Sequence, residues 1–446
     1  MRAIVCCVAV LCAIMLNGCE TDRAGIHSSE DVCCNPVSGA SAAPEAANSP
    51  VEAPSKTAEP SKPAEVAPPI EPHNLPKAAE VARPAETIAP APAIAAPTPP
   101  VRDEAAKLRA AQIDADKSAM NKELAAMGGT LDAWAEKLKP CKVAIEARVY
   151  QRRPNMSEVF CPDDGTNKRG HWFWNGEQKW LARELEGGAE GPDMFGSPLK
   201  ALVELAHNLK ERNIDLIFIP VPTKGQVYPE EFMDEVPEYW GMIPLRRHFV
   251  RRLLDEDVET IDLLPAFMEE KKQPSTEPLY PLTDQHWATR AIQFAAAKVA
   301  ERLKRYRFPA KTAYTIREYT ETILNSIPRN TGYDKHFPLE TSLGRQVRDS
   351  KGKICVEDPQ SPVLVVGDSF VKSVYFEYGC GFPAHLSKEM GFAIDFAWRD
   401  AGGPSIQKTL ARDGQAMLKN RRVVILLINS YFLHVNWTTG LKLPPR

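Results

Sequence analysis

The first third of this 446-residue chain lacks aromatic residues, since no Phe, Trp or Tyr occurs before Trp134. A segment without such side chains buries too little apolar surface to build an ordinary core, so no globular domain is expected there. All 16 phenylalanines, 11 tyrosines and eight tryptophans lie from Trp134 onward. The roughly 300 residues of that part are ample for a single α/β core.

The chain also lacks an excess of positive charge, because its formal net charge is -3 and its pI is near 6.4. A protein that binds nucleic acid normally presents a basic face, so this balance gives no case for such a partner. The sequence contains no Cys-x-x-Cys pair and no His-rich spacing. Zinc sites need ligands at such spacings, so we expect no metal and no cofactor.

The N-terminus has an apolar run, Ala3–Leu16, that is too short to span a bilayer, which takes about 20 residues. With Arg2 before it, the run is typical of an export signal. Leu16-Asn17-Gly18-Cys19 resembles a bacterial lipobox, in which the peptidase cuts before the lipid-bearing cysteine. We therefore predict a lipoprotein signal peptide over residues 1–18, a lipid on Cys19 and a place in the periplasm or cell envelope. Glu20 after the cysteine favours the outer membrane; the alternative is a plain secretory signal with an incidental cysteine.

Residues 19–101 are predicted to be a disordered tether. The stretch Pro36–Pro100 holds 16 of the 39 prolines, and Pro and Ala together make up more than half of it. Such a segment behaves as a semi-rigid spacer with a reach on the order of 200 Å. It either holds the following domain away from the membrane or is a low-complexity linker without that purpose.

Residues 102–139 are predicted to be helical, because their apolar residues recur at intervals of three and four. Gly128 and Gly129 interrupt the pattern. The segment is either a coiled-coil oligomeriser or a lead helix that packs on its own domain, and we favour the second. The catalytic domain is expected to occupy residues 140–446.

The remaining sequence alternates short apolar runs with helical patterns. Because the runs are apolar throughout and helices separate them, they predict an α/β fold with a doubly wound, mostly parallel sheet. Ligands of such sheets gather at the carboxyl ends of the strands. The predicted strands are Ile214–Val221, Thr260–Leu264, Val363–Val366, Phe392–Trp398 and Val423–Ile428, and the predicted helices are Pro198–Arg212, Leu245–Asp255, Ala288–Tyr306 and Ile406–Lys419.

Three side chains at predicted element ends suit nucleophilic catalysis. Ser369 follows a buried strand and Gly367-Asp368, so a tight turn would present it outward, but a serine hydroxyl needs an adjacent base. His286 lies just before a helix, whose positive end should keep the ring neutral as a base. Asp284, two residues earlier, can accept a hydrogen bond from the other ring nitrogen and fix the tautomer.

Further strand ends offer hydrogen-bond donors for a tetrahedral intermediate. The backbone N–H groups of Ser369, Gly402 and Gly403 and the side-chain amide of Asn429 could stabilise its oxyanion. The alternative interpretation is an ordinary glycine turn and an ordinary asparagine at a strand end.

Together these motifs resemble the SGNH (GDSL-type) hydrolases, but with the Asp and His before the serine. That permuted order is similar to the alginate O-acetyltransferase family, AlgX and AlgJ and their relatives, whose hallmark Asp-x-His-Trp matches Asp284–Trp287. The other matching segments are Gly170-His171-Trp172-Phe173-Trp174 with Glu184-Leu185, Pro222-Thr223-Lys224 with Val227-Tyr228-Pro229-Glu230, and Asp262-Leu263-Leu264.

The resemblance implies that Ser369 is the nucleophile, His286 the general acid/base and Asp284 its orienting partner. It also implies substrate-binding roles for Tyr375 and Arg399, a polysaccharide acceptor and a membrane-bound acyltransferase as acetyl donor. The chain differs from the family in its lipobox and tether and in Asn429, which is more typical of hydrolases. We also expect no carbohydrate-binding domain of the kind that some relatives carry after the catalytic one.

The cysteines fit an oxidising compartment. Four of them lie in the expected folded part and permit three pairings. Cys141–Cys161 and Cys355–Cys380 close the shortest loops, and we favour these two disulfides.

The leading hypothesis is an O-acetyltransferase that acts on an envelope or exported polysaccharide. A carbohydrate acetyl-esterase with the same residues, and a non-catalytic envelope scaffold lipoprotein, are the alternatives.

Overall fold

A computed structural model gives the fold of residues 99–150, 159–160, 171, 173–185, 196–231, 233, 235–323, 340–372, 376–399 and 402–445. All of these belong to one compact unit, Glu86–Arg446. The predicted signal peptide, Cys19 and nearly all of the tether lie outside the described residues. Among the described helices, none combines the length and the apolar character that crossing a bilayer would require.

The described residues form ten α-helices, which we number in chain order. There are also several short 3₁₀ turns, among them Lys304–Tyr306, which extends the helix before it, and Ser430–His434, which follows a strand. The helices are α1 Pro99–Ala126, α2 Leu131–Tyr150, α3 Asn175–Glu184, α4 Gly196–Lys210, α5 Lys224–Val227, α6 Pro244–Asp255, α7 Leu263–Lys272, α8 Thr289–Leu303, α9 Phe382–Met390 and α10 Gly402–Met417.

Nine strands are described in the same part of the chain. The five central ones form a parallel sheet in the order β4-β3-β9-β7-β8, while β1–β2 and β5–β6 are separate antiparallel pairs. The strands are β1 Val159–Phe160, β2 Phe173–Trp174, β3 Asp215–Val221, β4 Glu259–Thr260, β5 Tyr314–Ile323, β6 Glu340–Asp349, β7 Val363–Gly367, β8 Asp395–Trp398 and β9 Val423–Asn429.

Both faces of the parallel sheet are covered, which confirms the predicted doubly wound α/β fold. Successive side chains of a strand point to opposite faces, so each apolar strand feeds two cores. In β9, Val423, Ile425 and Leu427 pack with α8 and its neighbours, whereas Val424 and Leu426 pack with α4, α6 and α10.

The sequence predicted the five central strands and the helices α4, α6, α8 and α10 to within a few residues, but it did not predict α9, which packs against α8. One predicted strand is too long. Leu263 and Leu264 begin α7 instead of extending a strand, because Asp262 caps that helix by accepting from the Leu264 N–H at 3.1 Å. The antiparallel pair β5–β6 was not predicted, since its polar, half-exposed residues carry little apolar pattern.

The N-terminal helices belong to the same compact unit as the sheet. Helix α1 packs against α6, and Arg109 of α1 forms an ion pair with Asp257 at 3.2 Å. The favoured alternative, a lead helix on its own domain, describes this packing. Gly128 and Gly129 separate the two helices with φ angles of 114° and 86°. The predicted domain boundary between residues 139 and 140 falls inside α2.

The predicted Cys355–Cys380 disulfide is wrong for this structure, because both residues are buried free thiols. Cys380 packs beside Ile323 and lies 3.3 Å from the Tyr319 hydroxyl. Cys355 belongs to a different apolar cluster, around Val347. Closeness in sequence did not bring the two sulfur atoms together.

The other favoured disulfide would join Cys141 to Cys161. Cys141 is also a buried free thiol, and Cys161 lies outside the described residues.

Gly367, at the end of β7, is required by the close approach of β9. A Cβ atom placed there would lie 1.7 Å from the backbone oxygen of Leu427, a contact that neither strand can relieve by a side-chain rotation. The glycine of the Gly-Asp-Ser motif therefore serves the packing of two central strands and so fixes where the next turn begins.

We expect Gly367→Ala to lower the free energy of unfolding by about 3 kcal/mol, because overpacking at a backbone cannot relax. Urea denaturation followed by circular dichroism measures this loss. Gly176→Ala is the matched control, since its added Cβ would meet no atom closer than 3.7 Å. Equal stability of the two variants would contradict the packing argument.

Candidate active site

Ser369 lies in the turn that follows β7, at the carboxyl edge of the parallel sheet. The preceding Asp368 shapes this turn, because its Oδ1 accepts from the Phe370 N–H at 2.9 Å and its carbonyl accepts from the Val371 N–H at 3.1 Å. The side chain of Ser369 is half-buried, and its backbone N–H has no hydrogen-bond acceptor among the described residues. The turn thus leaves the hydroxyl and the adjacent N–H at an open edge.

The structure brings Ser369, His286 and Asp284 together in one line of hydrogen bonds. His286 Nε2 lies 2.8 Å from Ser369 Oγ, and His286 Nδ1 lies 2.8 Å from Asp284 Oδ1. The same carboxylate oxygen also accepts from the backbone N–H of His286 at 2.7 Å. The Asp284 side chain is fully buried, whereas that of His286 is 12% exposed. This geometry suits transfer of the serine proton to the imidazole.

The electrostatic surroundings of His286 differ from the prediction based on the helix end. Burial favours the neutral ring, but the charge and hydrogen bond of Asp284, aided by the charges of Asp368 and Glu177, outweigh it and raise the pKa of His286. The helix α8 begins only at Thr289. Three carboxyl groups, one of them in direct contact, therefore favour the imidazolium at this position.

Trp287 joins the histidine segment to the serine turn. Its Nε1–H donates to the carbonyl of Phe370 at 3.1 Å, and its indole packs edge-on against the Phe370 ring. The same ring contacts the imidazole of His286, with centroids 4.9 Å apart. The tryptophan of the Asp-x-His-Trp motif thus fixes the distance between base and nucleophile.

The loop that carries Asp284 is held from both sides by charged groups. Glu340, at the start of β6, accepts from the backbone N–H groups of Leu282 and Thr283 at 2.7 and 2.9 Å. The buried ammonium of Lys224 donates to the Leu282 carbonyl at 2.6 Å. Burial lowers the pKa of Lys224 to about 7, against the charges of Glu340, Asp284, Glu177 and Glu231.

Asn429, at the end of β9, is buried and bound on three sides. Its backbone N–H donates to Asp368 Oδ2 at 2.7 Å, and its Oδ1 accepts from the Tyr431 N–H at 2.8 Å. Its Nδ2 donates to Glu177 Oε1 at 3.2 Å. One hydrogen of the amide is therefore committed to Glu177, and the other remains for a ligand or a neighbour.

Gly402 and Gly403 begin α10, and packing explains why both are glycines, together with the left-handed φ of 62° at Gly402. A Cβ on Gly402 would lie 2.4 Å from the ring of Phe432, and one on Gly403 would lie 1.8 Å from that of Trp437. No described contact joins either glycine to Ser369. Their role as oxyanion donors stays a prediction.

Of the two residues implied in substrate binding, Arg399 lies within the described residues and Tyr375 does not. Arg399 is exposed at the end of β8, where its guanidinium donates to the Trp398 carbonyl at 2.8 Å and its backbone N–H donates to the Gly367 carbonyl at 2.9 Å. It therefore shares the sheet edge with the serine turn, without a described contact to the hydroxyl. Tyr375 lies outside the described residues.

Sequence reasoning did not assign roles to Glu177, Lys224, Glu340 or Asp368. Lys224 and Asp368 stand inside motifs that were noted, so their places in the pattern were the available signal. Glu177 precedes the central strands in the chain and Glu340 lies between β4 and β7, and neither stands in a distinguishing pattern. Among the described residues, no cluster of His, Cys, Asp or Glu side chains is arranged to hold a metal ion.

The fold and the site define a doubly wound α/β protein of the SGNH-hydrolase-like class, with a serine, a histidine and an aspartate at the carboxyl edge of its sheet. A family model described as "SGNH hydrolase-like domain, acetyltransferase AlgX" matches residues 174–425, more than half of the chain. The chain belongs to this AlgX/AlgJ-like family, as its permuted motifs predicted.

Individual relatives are distant. The chain is 23% identical over 221 residues to a probable alginate O-acetylase AlgJ of Azotobacter vinelandii. The match covers 46% of this chain and 54% of that protein. It thus spans about half the length of this curated relative.

Two solved structures are similar in part. The O-acetyltransferase domain of Pseudomonas putida AlgJ has 19% identity and a TM-score of 0.47, over 61% of this chain and 92% of that one. Pseudomonas aeruginosa AlgX has 17% identity and a TM-score of 0.41, over 54% and 58%.

We expect Asp284→Asn to lower the pKa of His286, because it removes the charge that most strongly favours the imidazolium. Histidine-selective NMR titration of the full chain measures this, with the resonance assigned by its loss in His286→Gln. Asp413→Asn, which changes an exposed carboxylate, should leave the resonance unchanged. A His286 pKa equal to that of the unaltered protein would contradict the described ion pair.

We expect Trp287→Phe to lower the free energy of unfolding by about 1–3 kcal/mol, since the buried Phe370 carbonyl loses its donor. Thermal unfolding by calorimetry measures the loss. The His286 resonance should also broaden, because the Phe370 ring that contacts the imidazole is no longer held by Trp287. A variant with unchanged stability would show that this hydrogen bond is not formed.

Proposed function

We propose that the protein is an O-acetyltransferase that moves an acetyl group, through an ester on Ser369, to hydroxyls of an exported or cell-envelope polysaccharide. The observation that carries this proposal is the unbroken line from Asp284 Oδ1 through His286 to Ser369 Oγ, with both hydrogen bonds at 2.8 Å. Membership of an acetyltransferase family supports acetyl as the group that is moved.

In the first half-reaction His286 Nε2 takes the proton of Ser369 as Oγ attacks the acetyl carbonyl of the donor. The tetrahedral intermediate collapses, the bond to the donor breaks, and the leaving oxygen receives the proton from His286. Asp284 stabilises the imidazolium between these steps. The product is acetyl-Ser369 and free donor alcohol.

In the second half-reaction His286 takes a proton from an acceptor hydroxyl, which attacks the ester carbonyl. Ser369 Oγ leaves and regains the proton from His286, so the acceptor carries the acetyl group and the site is restored. The Ser369 N–H, the second amide hydrogen of Asn429 and the N–H groups of Gly402 and Gly403 are the proposed donors to the oxyanion. Each such donor typically lowers the barrier by about 3 kcal/mol.

The proposed surroundings follow from the motifs in the sequence. We place the protein in the periplasm or cell envelope, with a lipid on Cys19 and the Pro-rich tether between anchor and catalytic domain. A membrane-bound acyltransferase is the proposed acetyl donor. Tyr375 and Arg399 are the proposed contacts to the substrate.

An acetyl-esterase is the second candidate, and Asn429 favours it. A buried asparagine beside the nucleophile turn is typical of SGNH hydrolases, and water can replace the sugar hydroxyl at the same acyl-enzyme. The two functions differ only in what receives the acetyl group.

We expect purified full-length protein to gain one acetyl group on Ser369 when it is mixed with p-nitrophenyl acetate, and Ser369→Ala to gain none. Mass spectrometry after acid quenching locates the ester. Ser275→Ala changes an exposed serine that has no described contact with Ser369, so this variant should be acetylated like the unaltered protein.

The fate of the ester separates the two functions. Added acceptor glycan should draw the acetyl group onto sugar hydroxyls if the protein is a transferase, and acetate should form at an unchanged rate if it is an esterase. An unmodified Ser369 in folded protein would refute both and favour the scaffold alternative.

A further inference from the structure

We propose that Glu177 is a positioning residue of the candidate site, which orients the side-chain amide of Asn429 and acts through its charge on the imidazole of His286. The inference rests on the proposed acyl transfer at Ser369 and adds a residue outside the proposed catalytic triad of Asp284, His286 and Ser369. Glu177 belongs to α3, next to the aromatic segment of the sequence whose role the mechanism leaves open.

The contact between Glu177 and Asn429 fixes the direction of the amide. Asn429 Oδ1 is held by the Tyr431 N–H at 2.8 Å, so Nδ2 must point the other way, where Glu177 Oε1 accepts from it at 3.2 Å. An amide that is bound at both ends has a single orientation, and its second N–H is aimed by the first. A carboxylate enforces this orientation better than a neutral acceptor, because it can only accept.

The same asparagine is bound to the nucleophile turn. Its backbone N–H donates to Asp368 Oδ2 at 2.7 Å, and Asp368 Oδ1 holds the Phe370 N–H at 2.9 Å. A continuous path of hydrogen bonds thus runs from Glu177 through Asn429 and Asp368 to the residues on either side of Ser369. A shift of Glu177 therefore changes the turn without any direct contact with the hydroxyl.

The burial of Glu177 makes its charge effective at a distance. The residue is 2% exposed, and Oε2 has no hydrogen-bond partner among the described residues. Charges that are shielded from water interact over longer distances than charges at the surface. The groups that face it are Lys224, Asp284, His286, Tyr280 and Tyr431.

The carboxyl group of Glu177 changes its protonation near neutral pH. Burial raises the pKa of Glu177 to about 7, although the Asn429 hydrogen bond and the charges of His286 and Lys224 oppose the change. In turn, the Glu177 charge contributes to the raised pKa of His286. Removing that negative charge must lower the pKa of His286, so the neutral base should persist to lower pH.

The test compares Glu177→Gln with Glu184→Gln in the full chain. Both glutamates are 2% exposed and lie on α3, but Glu184 pairs with Gln226 and His434 and has no described contact with Asp284, His286 or Ser369. We expect Glu177→Gln to move the acidic limb of the kcat/KM profile for p-nitrophenyl acetate to lower pH by roughly half a unit or more. Glu184→Gln should leave the limb in place.

A second variant separates orientation from charge. Glu177→Leu removes the acceptor for Asn429, so kcat on the pH plateau should fall about tenfold or more with little change in KM. Glu177→Gln keeps an acceptor oxygen and should retain most of the plateau rate. Circular dichroism confirms that each variant is folded, and a Leu variant that fails to fold leaves the Gln comparison decisive.

Histidine-selective NMR titration measures the effect of Glu177 on the pKa of His286 without depending on catalytic activity. The His286 resonance should titrate at lower pH in Glu177→Gln than in the unaltered protein or in Glu184→Gln. An unmoved resonance, or an equal shift in both variants, would overturn the role of Glu177. If Ser369 is never acetylated while the resonance shifts as expected, the proposed function fails and the electrostatic coupling stands.

Discussion

The fully buried carboxylate of Asp284 is the constraint on which the rest of the candidate site depends. A buried charge is costly unless hydrogen bonds and opposite charges compensate it. Its Oδ1 accepts from both the backbone and the ring of His286, at 2.7 and 2.8 Å. The buried ammonium of Lys224 supplies an opposite charge and binds the Leu282 carbonyl. The loop is therefore held where the carboxylate can be stabilised, and His286 is oriented as a consequence.

The parallel sheet supplies the second half of the site by geometry alone. β7 and β9 are neighbours, and Gly367 pairs with Leu427, so the segments that follow both strands emerge at one edge. Because Gly367 allows the backbones to approach closely, Asp368 can reach the Asn429 N–H at 2.7 Å. The serine turn is thus bound to the strand beside it, while Trp287 binds it to the histidine segment. Two rigid elements position the nucleophile and the base independently of the substrate.

Sequence patterns predicted the sheet, four of its flanking helices and the three catalytic candidates, because each depends on local signals. Apolar strands, a glycine before the serine and an Asp-x-His-Trp motif can all be read over a few residues. The antiparallel pair β5–β6 escaped prediction because it is polar, yet it supplies Glu340 to the Asp284 loop. Glu177 and Lys224 escaped because burial, which gives them their importance, is a property of the whole fold. The disulfide prediction failed for the same reason, since loop length says nothing about which cluster a thiol joins.

The proposed triad of Asp284, His286 and Ser369 does not itself discriminate between a sugar hydroxyl and water as the acceptor. In the proposed mechanism the same imidazole would deprotonate either acceptor, and the groups that raise its pKa, Asp284, Asp368 and Glu177, are all buried. Selection must therefore come from groups around the half-buried Ser369, on the open side of the turn. Arg399 lies on that edge, one strand away from the serine turn. In the proposed mechanism, an acceptor bound there would exclude water by occupancy, so affinity at this edge, and not the chemistry of the base, would decide between transfer and hydrolysis.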